Sequence, residues 1–344
     1  MFIQFIVSFY EKLFIKMLSA LPENVMVELA FIQGALIFAS ELILLSIGFT
    51  LTYVTAKIPN FAHGTYAGIG IYVVYTFASL FHVNPYWGFP VAFLFGGLVS
   101  VIVYLLVIGT LTKMGSGSIV LTISTLAIQI FLTALLSIYA YWVLVTYHQY
   151  AQAFLLKDLD FEFAGWPGIF IVAMGTSIVT VIILHFTLTR TKLGIAMRAT
   201  AEDPELASVL GININQIQLF SWFITGALAC LAGAMYPLWF QSSPGSGSAI
   251  ITSIMAGSLL GGFENVYGAI IGGFIVGLSE IVLTYLGQIY IGVWVGEYRS
   301  LVPMLFLIIV LLIEPRGLQG FYDRFVASRV KVKPALEEGE KKND

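Results

Sequence analysis

The chain has 344 residues, 59% hydrophobic and 10% charged, with a formal net charge of -3 and a mean hydropathy of +0.93. A soluble domain carries about 25% charged residues, and here 19 of the 35 charges crowd into 55 residues, Arg190–Asn213 and Glu314–Asp344. The remaining 289 residues cannot build a water-soluble surface, which excludes disulfide scaffolds, nucleic-acid binders and cytosolic enzymes and leaves a polytopic membrane protein.

Met1–Ala20 lacks the basic start and small-residue cleavage site of a signal peptide. With Glu11, Lys12 and Lys16 among Phe and Ile, residues 1–24 read as an interfacial amphipathic helix, since three charges at mid-membrane are costly. About 20 apolar residues cross the hydrocarbon core. That length places spans near Val27–Ala56, Phe61–Phe81, Phe89–Leu111, Ile119–Val143, Ile169–Thr189, Ile214–Phe240, Val266–Gly287 and Ser300–Ile313, the last short and open to upstream extension. Between them, Ser242–Gly247 and Ile250–Leu260 are too short and glycine-broken for a full span, and read as either a re-entrant half-helix or a short ninth span. The expected class is an all-α polytopic membrane protein with eight to ten transmembrane helices and one re-entrant or broken helix. Residues 25–313 form its membrane domain and 314–344 a charged tail.

Basic residues set the orientation. With the N-terminus outside and one crossing at Ser242–Leu260, twelve Lys and Arg fall on one side and four (Lys12, Lys16, Lys157, Arg299) on the other. Arg190–Asn213 and the tail are therefore expected in the cytoplasm, and Thr146–Trp166 outside. The lone cysteine, Cys230, lies in an apolar run and reads as a small packing residue. Glycine pairs at four-residue spacing, among them Gly257/Gly261, Gly268/Gly272 and Gly273/Gly277, let helix backbones approach closely in lipid. Helix packing within the chain, a subunit seam and a moving gate are all compatible with that spacing. Glu41 and Glu280 lie inside spans with no Lys or Arg placed at matching depth. Each is expected to be neutral and hydrogen-bonded, or to face a polar cavity and meet a cargo ammonium.

No phosphate-cradling G-x-x-x-x-G-K-[ST], no H-E-x-x-H, no paired cysteines and no histidine cluster occurs, so an intramembrane enzyme is disfavoured and no cofactor or metal is expected on this chain. The loop Arg190–Asn213 is the most polar interior stretch. Asp203-Pro204 is a helix start and Gly211 a stop, with Leu206, Val209 and Leu210 at helical spacing between them. Such a segment either lies on the bilayer surface or inserts into a groove on a partner protein.

Four stretches carry a family resemblance. Glu205-Leu-Ala207-x-x-x-Gly211 resembles the Glu-Ala-Ala-x-x-x-Gly coupling signature of ATP-binding-cassette (ABC) importer permeases, with Leu206 for the first Ala. The wider run Arg198–Asn213 resembles the branched-chain amino-acid permease family. So do Asn60-Phe-Ala-His63-Gly64, the run from Gly261-Gly262 through Gly268 to Gly272-Gly273, and Glu314-Pro-Arg-Gly-Leu-x-Gly320, where Glu314 stands in place of the usual Arg. The motifs stand in family order from about Ala35 to Gly320, and Asn-Phe-Ala-His-Gly is the version of the first of two paired permease types. The resemblance implies a membrane subunit of an ABC importer in a prokaryotic cytoplasmic membrane, with branched-chain amino acids as cargo and amides or urea carried by close relatives. It implies ABC ATPase subunits holding ATP and Mg, a second permease subunit, identical or homologous, and an extracellular solute-binding protein. ATPase coupling would fall to Glu202, Asp203, Glu205, Ala207 and Gly211, and packing or hinging to Gly261, Gly262, Gly268, Gly272 and Gly273. Glu280 stands where the family often has Glu and Glu41 where it is usually apolar. Asn60, His63, Glu41 and Glu280 are candidates for the translocation path. From the residues alone, Pro59 ends the first helix, and Asn60 with His63 can cap a break near the membrane edge. The competing readings are a stand-alone channel or ion-coupled transporter, which needs no polar coupling helix.

Overall fold

The computed structural model describes residues 25–314, with 317, 318 and 320 beyond them. The expected interfacial helix at 1–24 and nearly all of the tail lie outside the described residues. Six described helices are long and apolar enough to cross a membrane: Ala30–Ala56, Pro85–Lys113, Ser118–Tyr147, Gly168–Arg190, Ile214–Leu238 and Val266–Tyr290. With the shorter helices His63–Tyr75, Ser246–Gly261 and Leu301–Ile313 they make an all-helical bundle of nine apolar segments among the described residues.

In chain order the helices are α1 (Val25–Ala56), α2 (His63–Tyr75), α3 (Gly88–Val103), α4 (Ser118–Tyr147), α5 (Gly168–Arg190), α6 (Lys192–Glu202), α7 (Pro204–Val209), α8 (Ile214–Met235), α9 (Ile251–Gly261), α10 (Val266–Tyr290) and α11 (Leu301–Ile313). A π-helical turn extends α2 through Thr76–Leu80, and another follows α3 at Tyr104–Ile108. The all-α expectation misses one feature in the loop after α4. There Glu162–Phe163 pairs antiparallel with Trp166–Pro167. Ala164 (φ 52°) and Gly165 (φ 79°) form its two-residue turn with positive φ at both positions, the pattern of a tight hairpin.

Hydrocarbon gives helices no gain from burying leucine against leucine, so the contacts that hold this bundle are small residues and hydroxyls. Along the α1–α8 seam, Thr52 Oγ1 donates to Thr225 Oγ1 at 2.7 Å, and the Thr55 and Ser221 hydroxyls lie 2.9 Å apart. On the α9–α10 seam Gly261 meets Gly268 and Gly257 meets Gly272 so closely that no Cβ fits, while Gly273 lies against Leu42 and Ser46 of α1. The glycine spacing thus serves packing within this chain. Gly262 makes the turn between α9 and α10 at φ 99°, where a side chain is strained. Cys230 is buried, its Sγ donating to the Tyr66 carbonyl at 2.8 Å, as a packing residue should be.

Two groups of contacts mark opposite ends of the bundle. At one end the outer loop is tied to the end of α8: Phe154 bridges Ser242, and Leu156 N donates to the Pro237 carbonyl. At the other, Lys57 pairs with Glu264 at 2.8 Å, and Gln218 Nε2 donates to the Thr55 carbonyl. The Lys57–Glu264 pair is exposed and adds little stability, but it fixes which ends lie together. The segment Ser242–Gly261 therefore passes from one end to the other, so Arg190–Asn213 and the base of the tail share a side. Single cysteines at Ser208 and Gln152, both exposed, in a Cys230→Ala background should label from opposite faces with an impermeant reagent. Labelling of both from outside intact cells would overturn this orientation.

Candidate functional site

Two helices begin inside the bundle rather than at its edge. After Ala56, Lys57 turns the chain with φ 55°, and residues 58–62 climb back along α1. His63 Nε2 then lies 2.9 Å from the carbonyl of Leu45, eleven residues before the end of α1 and so about 16 Å up its axis. The break expected near the membrane edge thus lies at depth, because Pro59 and Asn60 extend the connection instead of closing it. Asn60 Oδ1 accepts from Ala62 N at 3.1 Å and its carbonyl from His63 N at 3.1 Å, so Asn60 caps the turn before α2. Thr125 of α4 accepts from Phe61 N and donates to the Pro59 carbonyl. Descending from the other end, Ser242–Gly245 carries the turn Ser246–Ala249 to the same level. Gly247 packs on Gly64 and Gly68 with no room for a Cβ, and Ser248 Oγ reaches Thr65 and Thr133. The segment expected to be either re-entrant or spanning is both, dipping to mid-depth and then continuing as α9. Asn60 and His63 are fully buried and contact protein at this head-to-head break.

The second cluster is ionic, and it corrects the expectation that Glu280 has no cation at its depth. Past the end of α10, Gly292 (φ 147°) reverses the chain. The turn Val293–Tyr298 runs back along α10, with Val295 against Gly287 and Gln288 against Gly296. Arg299, expected in an outer loop, is thereby carried inward, and its Nε donates to Glu280 Oε1 at 2.6 Å. This explains the short apolar run before the tail: α11 starts at the depth of Arg299, preceded by the short 3-10 turn Val293–Tyr298. The guanidinium lies 4.1 Å from the Phe38 ring centroid and 5.3 Å from that of Phe240, a favourable stacking for arginine. Glu41 stands three residues after Phe38, on the same face of α1. Gly277 of α10, three residues before Glu280, packs on Ala39 and Leu42, so Glu41 and Glu280 stand within about one helical turn of each other along the bundle. The charge of Arg299 acts on both carboxylates, and Tyr236 feels all three charges. Both carboxylates are buried, at 1% and 4% exposure. The signals for Arg299 were a glycine at the turn and an apolar run too short to span; its pairing needed the tertiary fold.

The third site is the connection Arg190–Asn213, the loop whose basic residues predict a cytoplasmic side. Asp203 Oδ1 accepts from Glu205 N at 2.9 Å and Leu206 N at 3.0 Å, which starts α7. Gly211 at φ 84° ends it, with Ile212 N donating to the Ala207 carbonyl, so start and stop fall where the sequence places them. Ala207 is buried, whereas Leu206, Val209 and Leu210 are 57%, 84% and 72% exposed. Not foreseen is α6, capped by Thr191 Oγ1 on Gly194 N, which takes up Glu202 as its last residue and sets α7 off from the bundle.

Residues 31–311 match the family described as branched-chain amino acid transport system / permease component. The chain belongs to that family. The probable branched-chain amino acid transport permease protein LivH of Methanocaldococcus jannaschii is 38% identical over 289 residues, covering 84% of this chain and 91% of the relative. The high-affinity branched-chain amino acid transport system permease protein BraD of Pseudomonas aeruginosa is 28% identical, covering 83% and 94%. Among solved structures, PsaBC from Streptococcus pneumoniae in complex with Fab aligns with a TM-score of 0.49 at 14% identity, over 86% of this chain and 95% of that one. As a permease of this family, the chain is a multi-pass membrane transport subunit, and its motif residues sit at the mid-depth break, the α9–α10 seam and α7.

The ionic cluster makes a prediction. Removing one partner of a buried pair strands the other and costs about 3–5 kcal/mol. Glu280→Gln and Arg299→Gln should each lower the thermal midpoint of the detergent-purified protein, and the double variant should recover part of the loss. Strict additivity of the two losses in a double-mutant cycle would show that the pair contributes no coupling.

Proposed function

We propose that this permease forms half of the transmembrane path of an ABC importer for branched-chain or other aliphatic amino acids in a prokaryotic cytoplasmic membrane. A second permease chain, identical or homologous, supplies the other half. A separate ATPase, with its own ATP and Mg, supplies energy, and an extracellular solute-binding protein delivers the cargo. The observation that carries the reading is α7. A helix capped at Asp203, stopped at Gly211 and held off the bundle by α6 presents Leu206, Val209 and Leu210 to the cytoplasm. An exposed apolar face of that kind suits insertion into a groove on a partner protein. A stand-alone channel has no use for it. The relatives' names support branched-chain amino acids as the cargo, and uptake of amides or urea instead would mark a divergent member.

Glu205→Arg should reverse the charge beside the α7 N-terminus, and Gly211→Val forces a β-branched residue to φ 84°, where it is strongly disfavoured. Both variants should insert in the membrane normally. ATP-driven uptake should fall at least tenfold, with stimulation of the ATPase by loaded solute-binding protein lost in parallel. Wild-type uptake and stimulation in both would refute the docking role of α7, and failure of any ATPase chain to co-purify with the wild type would refute the importer reading.

A further inference from the structure

The ionic cluster is incompletely satisfied in a way that has a specific chemical shape. Arg299 binds Glu280 through Nε and Oε1 alone. Glu280 Oε2, both oxygens of Glu41 and Arg299 Nη2 are buried without hydrogen-bond partners. Ser253 also reaches the Glu280 carboxylate. Three carboxylate oxygens and one guanidinium N–H group are thus left unmet within about one turn of the bundle, and unmet polar groups in hydrocarbon are costly. Around them stand rings: Phe38 edge-on to Phe240 at 5.7 Å, and Tyr236 stacked on Phe240 at 5.0 Å. The cluster is not sealed, since the Arg299 side chain keeps 23% of its surface accessible. Towards the outer loop Trp239 follows Phe240, with Lys157 4.2 Å over its ring.

We propose that Glu41, Glu280 and Arg299 hold the two charged ends of a zwitterionic amino acid inside the membrane, the ammonium on Glu41 and Glu280 Oε2, the carboxylate on Arg299 Nη2. An ammonium offers three N–H donors, matching the three free oxygens, and a carboxylate accepts from the fourth group. The aromatic walls suit an aliphatic side chain. An amine without a carboxylate leaves Nη2 unmet, and a carboxylic acid without an ammonium leaves all three oxygens unmet, so both ends are required. Arg299 is in this account more than the counter-ion of Glu280: it supplies the anion side of the site. The inference rests on the amino-acid importer reading above.

The test uses the whole complex, permease pair with ATPase and solute-binding protein, in liposomes. Glu41→Gln removes the charge at nearly constant size, and Arg299→Lys keeps a cation for Glu280 but loses the planar fork. A charge-assisted hydrogen bond corresponds to about ten- to a hundredfold in binding, so each variant should lose at least tenfold in leucine uptake at low concentration while co-purifying with the ATPase. A second measurement avoids the solute-binding protein. Millimolar leucine should raise the thermal midpoint of the detergent-purified permease–ATPase complex, 4-methylpentanoate and 3-methylbutylamine should not, and Glu41→Gln should lose the leucine response. Unchanged leucine uptake and an unchanged leucine response in both variants would overturn the proposal. Where Glu41→Gln fails to assemble, Glu41→Asp decides: a leucine response supports the site, and assembly without one overturns it. A wild-type complex that imports no aliphatic amino acid defeats the importer reading itself, an outcome visible before any variant is made.

Discussion

Hydrocarbon offers a polypeptide no hydrogen-bond partner, so each place where this chain interrupts a helix must bring its own. The break at residues 57–62 does so with Asn60 on Ala62 N, Thr125 on Phe61 N and Pro59 O, and His63 against Leu45 O. The break at Ser242–Gly245 uses Ser246 Oγ on Ser243 N and a bridge to Phe154. With both breaks capped, two helices can begin at mid-depth. The near-absence of side chains at Gly64, Gly68 and Gly247 lets them meet there. The same constraint works at the far end of α10, where Gly292 and the turn Val293–Tyr298 bring a guanidinium to a carboxylate that lipid would otherwise not tolerate.

These three irregular segments are where the bundle departs from plain spanning helices, and buried polar groups such as Asn60, Ser242 and Glu280 lie in them or against them. Seams made of glycine and hydroxyl contacts are geometrically demanding but individually weak, about 0.6 kcal/mol for a hydrogen bond between membrane helices. That combination fixes which helices are neighbours while leaving each interface replaceable at small cost.

One helix joins the α7 connection and the intramembrane cluster. Asn213, which caps α8 through Gln216 N, follows directly on the stop at Gly211. After its twenty-two residues α8 hands over at Tyr236, within electrostatic range of Arg299, Glu41 and Glu280. Along its length α8 is anchored to α1 by Thr225 and Ser221 and to α2 by Cys230.

Periodicity, composition and loop chemistry by themselves determined the bilayer-spanning class, the approximate spans, the start and stop of α7, and the side shared by the Arg190–Asn213 loop and the tail. All of these depend on residues close in sequence: an apolar run, Asp203-Pro204, Gly211, the tally of basic residues between spans. Glu41 and Glu280 were legible as unusual, and Asn60 and His63 as part of a break. What only the tertiary structure decided was depth and partnership. Nothing local distinguishes a loop that leaves the membrane from one that folds back into it, because both are short interruptions of an apolar run. Whether Pro59–Ala62 and Val293–Arg299 run outward or inward is set by the helices they return to, α1 and α10. Arg299 thus reads as an outer-loop charge in the sequence and becomes the partner of Glu280 in the fold, since a contact nineteen residues apart depends on a chain reversal that single-residue propensities do not encode.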